Sequence, residues 1–148
     1  MEIIVGNAAT LLREKYILTF VDCDLPHYVN TIATTKKYID GYCYQGYLWD
    51  CQRNASNIAE SDALKMIRNK NSAIYIMWDI HSCENIFVEN YWKYPKEAII
   101  QLEADEFEKY MDTFPEDVYI FDSMFDWTIS LTHEFVDNDR VCRYSYLR

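Results

Sequence analysis

Three histidines and a set of scattered carboxylates are the side chains of this sequence best suited to proton transfer or metal binding, and their spacing limits what they can do. Asp22-x-Asp24 stands at the end of an apolar run beside Pro26. Paired carboxylates suit a hard divalent cation, yet they are also ordinary turn residues, and no third carboxylate or Gly-rich loop lies near them. His81-Ser-Cys83 offers two ligands on one strand face, without a second compact His/Cys group to complete a tetrahedral zinc set. His133 and Glu134 are adjacent, so strand alternation sends them to opposite faces and they cannot act as an acid/base pair on one substrate. His133 continues an apolar row and is expected to be a buried, hydrogen-bonded histidine. His27 has no nucleophile context: the chain contains no G-x-S-x-G, and no cysteine lies in a basic or Gly-rich segment. G-x-x-x-x-G-K, G-x-G-x-x-G and H-E-x-x-H do not occur, and three glycines leave little for a phosphate cradle. The expectation is a chain with no catalytic, cofactor-binding or metal-binding residues and no cofactor, and therefore no enzyme.

The strongest chemical signal is charge. Residues 97–139 hold thirteen Asp and Glu against Lys109 alone, a net charge of −12, whereas residues 1–96 sum to −1 and the whole chain to −10. Such a field repels nucleic acid and anionic lipid, attracts a basic protein surface, and acts on encounter rate more than on fold. Asp105, Glu106, Glu108, Asp122, Asp126, Glu134, Asp137 and Asp139 are the candidate partner-binding residues of this block. The stripe Tyr42, Tyr44, Tyr47 and Trp49 invites comparison with a base-stacking platform, but only Lys36, Lys37 and Arg53 lie near it, and such platforms rely on a positive groove. Core or protein-interface aromatics explain it better.

These residues must be positioned by one domain, because 148 residues match the common size of a single core. Half the residues are apolar and Gly and Pro number three each, far from a disordered composition. Five widely spaced cysteines without a C-x-x-C pair read as reduced, mostly buried thiols. The start, Met1-Glu-Ile-Ile-Val-Gly6, lacks the basic and apolar regions of a signal peptide, and no apolar run spans a membrane, so a cytoplasmic protein is expected.

Along the chain, the aromatic and β-branched run 16–21 predicts a strand that stops at Pro26. Residues 27–41 are ambiguous between helix and coil, and 42–49 nearly alternate as a strand with a bulge at Gly46. Asn57 and Glu60 mark a helix start, followed by Ala59, Ala63, Met66 and Ile67 on one helical face. Residues 73–80, 86–91 and 97–102 predict strands. Ala104, Phe107, Met111 and Phe114 predict a second helix, ended by Pro115, with acids near its N-terminus. A short buried strand over 118–121 is followed by the alternation of Trp127, Ile129, Leu131 and His133 with Thr128, Ser130, Thr132 and Glu134, whose second set is expected to face water or a partner. Residues 141–147 pair with it as a hairpin. The prediction is an α+β domain: a mainly antiparallel sheet with about two helices packed on one face.

Pro115-Glu-Asp-Val-Tyr-Ile-Phe-Asp122 and Phe125-Asp-Trp-Thr-Ile-Ser-Leu-Thr-His-Glu134 together resemble a C-terminal segment of small acidic bacterial proteins, some of them similar to immunity proteins of contact-dependent or polymorphic toxin systems. The resemblance covers about twenty residues and has no catalytic signature. It implies a partner class, since many such proteins mask a basic nuclease site with carboxylates and aromatics, and it fixes neither fold nor toxin. The expected function is therefore a protein-binding module, an immunity protein that neutralises a cognate basic toxin. The alternatives are another intracellular regulatory or protein-binding domain, and a small hydrolase whose site is assembled from distant residues.

Overall fold

Period-two apolar runs build the sheet, as the alternation requires. The computed structural model describes residues 1–33, 46–79, 93–95 and 97–147. Within them lie seven strands: β1 (Glu2–Ile4), β2 (Ser56–Ala59), β3 (Ala73–Met77), β4 (Ile99–Glu103), β5 (Val118–Phe121), β6 (Trp127–Val136) and β7 (Asp139–Tyr146). They form one antiparallel sheet in the order β1-β4-β3-β5-β6-β7-β2. The domain is α+β with an antiparallel sheet, as predicted. The predicted strand over 86–91, residues 42–45 of the aromatic stripe, and the pair His81 and Cys83 lie outside the described residues.

Helices cover both faces of the sheet rather than one. On the first face, Ala63 and Ile67 of α2 (Glu60–Arg68) and Phe107 of α3 (Phe107–Tyr110) pack with Ile74, Ile76, Ile100, Ile120, Ile129 and Leu131. On the second, Ala9, Tyr16 and Phe20 of α1 (Gly6–Phe20) pack with Met77, Ile99, Tyr119 and Phe121. Strand β5 is central, and all four of its residues are buried.

Helix α1 replaces the strand predicted over 16–21. Ala9, Arg13, Tyr16 and Phe20 recur at helical spacing and are buried together. Leu11 and Leu18, 65 % and 74 % exposed on the outer side, blur that stripe and leave the β-branched and aromatic end of the helix looking extended. Gly6, at φ +68°, makes the reversal from β1 into the helix. Of the ambiguous stretch, Tyr28–Ile32 forms a π-helical turn. Tyr47 and Trp49 also depart from expectation, because Leu48–Cys51 is a 3-10 turn. Asn57 belongs to β2, and α2 begins at Glu60. The helix expected from Ala104 onwards is a string of short turns, Ala104–Glu106, α3 and Met111–Thr113, which still buries Ala104, Phe107 and Phe114.

The polar row of β6 is the largest correction. Thr128, Ser130 and Thr132 are buried, because α1 and the segment after Tyr47 cover that face. Their hydroxyls are satisfied within the fold: Thr128 donates to the Ile120 carbonyl and bonds Tyr16 Oη at 2.8 Å, Ser130 donates to Gln52 Oε1, and Thr132 donates to the Val141 carbonyl. On the other face Trp127 is 3 % exposed, with its indole N–H donating to Asp122 at 2.8 Å and Lys70 Nζ lying 4.1 Å from the ring centre. Trp127→Ala is expected to cost about 3–5 kcal/mol, read by urea denaturation; a loss below about 1 kcal/mol would contradict this packing.

Candidate functional site

The fold divides the eight nominated carboxylates among three places. Asp105, Glu106 and Glu108 follow β4, where Glu108 forms an ion pair with Arg68 at 2.7 Å. Asp122 and Asp126 bracket the β5–β6 turn. Asp122 is structural: one carboxylate oxygen accepts the Trp127 indole N–H and the other the Met124 backbone N–H. Both acids act on Lys70 at the end of α2. Glu134, Asp137 and Asp139 stand at the far end of β6, roughly 27–37 Å from Asp126 at about 3.4 Å per residue. The −12 block is therefore no single face.

That far end is a projecting arm. Strand β5 pairs with β6 only as far as Leu131, and β2 pairs with β7 only as far as Val141. The remaining residues continue as a two-stranded ribbon beyond the sheet, through the pairs Phe135↔Arg140 and Val136↔Asp139. Every residue from His133 to Asp139 is exposed. Asp137 and Asn138, at φ 52° and 64°, make the tight reversal with the two positive φ values that a type I′ turn requires. A bare ribbon is marginal in water, so its anchor matters. Arg140 supplies it. Its guanidinium donates to the carbonyls of Thr132, at 2.6 Å, and Glu116, and pairs with Glu60 at 3.2 Å.

At the base of the arm lies a cluster that sequence reasoning missed. A register shift between Leu131 and Phe135 takes His133 off the buried row where it was expected and exposes it. Its Nδ1 lies 3.0 Å from Asp117 Oδ1, and its ring packs 4.9 Å from Tyr47 and 6.1 Å from Trp49. Asp117 also accepts the His133 backbone N–H and the Trp49 indole N–H. The Asp117 carboxylate accepts from the Nδ1–H of the ring, which leaves the Nε2 edge turned away from Asp117. That edge can hydrogen-bond a molecule docked there. No sequence signal marked it, because a bulge is invisible to alternation.

Beneath α1 runs a second polar cluster. Asp79, buried at the end of the β3 run, accepts the Leu48 backbone N–H at 3.0 Å and the Tyr119 hydroxyl at 2.7 Å. Burial pushes its carboxyl up to about 7, outweighing those two hydrogen bonds. Burial likewise lowers Arg13 to about 10; Arg13 Nη1 donates to the Trp78 carbonyl at 2.7 Å, and its Nη2 is buried without a partner among the described residues. Gln52 links Ser130 and Ser145 through 2.5 and 2.8 Å contacts. The cluster ties the 47–53 segment to the sheet.

The remaining candidates have structural roles. Asp22 Oδ1 accepts the Asp24 backbone N–H in a turn, and His27 pairs with Asp50 at 3.1 Å. Cys51 and Cys142 are buried thiols and Cys23 is half-buried. Among the described residues, no group of three or more His, Cys, Asp and Glu converges as metal ligands, and no helix is long and apolar enough to cross a membrane. The chain matches no family model, and no curated protein or solved structure matches it.

Asp79 makes a pH prediction. Its folded value lies above the ordinary aspartate value of about 3.9, so its contribution to stability is complete below about pH 4 and is lost as pH rises through about 7. The stability of the wild type relative to Asp79→Asn should therefore fall between about pH 4 and 8, read from urea midpoints. A pH-independent difference would show that the folded carboxyl is not protonated in that range.

Proposed function

We propose that this chain is a protein-binding module for a basic partner, and that it acts as an immunity protein neutralising a cognate toxin domain, such as a nuclease, in the cytoplasm of the cell that makes both. The observation that carries this reading is the exposed acidic arm. Glu134, Asp137 and Asp139 take part in no ion pair among the described residues, and Arg140, the base nearest to them, is occupied by Glu60 and two carbonyls. The field of the arm is thus left to steer a basic protein. The resemblance of residues 115–134 to small acidic bacterial proteins, some of them similar to immunity proteins, agrees with it, and the half-buried Tyr47 beside the arm is a residue type that serves as an interface anchor.

An acidic surface masks a basic active site by occupying the place of its anionic substrate. Binding then competes with nucleic acid, and association is fast and sensitive to salt. With a basic partner captured from the native host and purified, raising the salt from about 0.05 to 0.5 M should slow association by a decade or more, because screening shortens the reach of the field. Reversing Asp105, Glu106, Asp137 and Asp139 to Lys should do the same at low salt. Asp122 is left intact because it holds Trp127. An acidic partner, or unchanged rates in both experiments, would leave the acidic surface a solubility feature.

A further inference from the structure

The arm also carries apolar side chains that the fold does not use. Phe135 and Val136 are each 62 % exposed, and as neighbours on a strand they point to opposite sides of the ribbon. On the Val136 side, the β7 residues that continue past the last residue of β2 leave a notch in the sheet face. This cleft of about 320 Å³ is lined by Ile58, Ala59, Val136, Asp139, Val141 and Arg140, whose guanidinium is held by Glu60 and two carbonyls. The sheet register explains its composition. Ala59 pairs with Val141 and Val136 with Asp139, so these four share one face, and the chain leaves that face by turning from Ala59 into α2. The apolar floor thus lies next to an unpaired carboxylate, with further carboxylates at Glu134 and Asp137.

Resting on the reading of the chain as a binder of a basic protein, we propose that the β6–β7 arm is the docking element: it inserts Phe135 into an apolar groove of that protein and receives an apolar partner side chain in the cleft beside Val136, while Glu134, Asp137 and Asp139 pair with lysines or arginines at the groove's rim. Charge complementarity selects this occupant. An apolar site with Asp139 in its lining and Glu134 and Asp137 along the same arm, its one cation Arg140 already held by Glu60, disfavours an acidic protein or a nucleic acid and rewards apolar residues flanked by bases. The tight turn and the Arg140 clamp hold the arm in place, so little ordering is lost on binding. The division of labour follows from the chemistry. Apolar anchors act on the lifetime of a complex, and peripheral charges act on the rate of encounter.

The experiment places a photo-crosslinking benzoylphenylalanine at position 135 or 136 of the full chain in its native host, with the same probe at 11 and 18 on the exposed side of α1 as controls. The expected result is a discrete adduct with one basic protein from 135 and 136 and none from 11 or 18. With that protein purified, the double variant Phe135→Ser, Val136→Ser should dissociate at least tenfold faster with an association rate within about twofold, and Glu134→Lys, Asp139→Lys should show the reverse. Both variants alter only exposed residues, and a thermal melt matching the wild type establishes that each is folded. If the wild type binds a basic protein and the serine variant dissociates at an unchanged rate, or the adducts come from 11 and 18 instead, the docking mode is overturned while the binding function stands. If the wild type binds no basic protein, both fall.

Discussion

Strand β5 must be dry on both faces, and most of the architecture answers to that requirement. Val118 and Ile120 lie against the α2 and α3 side, and Tyr119 and Phe121 against α1, so neither helical layer is dispensable. Because β6 is the neighbour of β5, its second row is drawn into the same dry layer, polar as it is. The cost is met by a hydrogen bond for each hydroxyl, with Gln52 and Tyr16 brought over the sheet for the purpose. The same layer contains Asp79 and Arg13, whose charged forms burial disfavours, and its polar contacts anchor the segment that carries Tyr47 and Trp49.

Much of this was legible from alternation. Strand β3 and the β6–β7 hairpin follow from period-two rows of apolar residues, β4 and β5 from short apolar runs, and α2 from Ala63 and Ile67 one turn apart. The failures have definite causes. Helix α1 carries apolar residues on its outer side as well as its inner one, so its periodicity cancels, and the β-branched end of the run decides the reading wrongly. Threonine and serine in a strand suggest solvent until a helix covers them, and the helix responsible is the one that was misread. The error over β6 therefore descends from the error over α1.

For the candidate site, the residue types were legible and their arrangement was not. Glu134, Asp137 and Asp139 were identified from charge alone, but charge along a sequence has no direction, and the fold separates them from Asp122 and Asp126 by the length of β6. The pairing of Asp117 with His133 depends on a local irregularity in the β6–β7 register between Leu131 and Phe135, which alternation along the sequence does not show. Exposure of Phe135 and Val136 depends on where β5 and β2 stop, and strand ends are set by neighbours remote in sequence.

The two outer strands of the sheet come from the first part of the chain, while their partners come from the second. Ser56–Ala59 finds its ladder on Val141–Tyr144, and Glu2–Ile4 on Ile99–Gln101. During synthesis, at roughly 5–20 residues per second, the early segments wait for several seconds with no sheet to join. Closure of the β2 edge is among the last long-range events available to the chain, and its loop entropy is met only once the hairpin exists. The notch beside the arm is thus framed by a strand whose ladder partner is made more than eighty residues after it, so the edge at Ala59 exists only where Val141 is already paired into the hairpin.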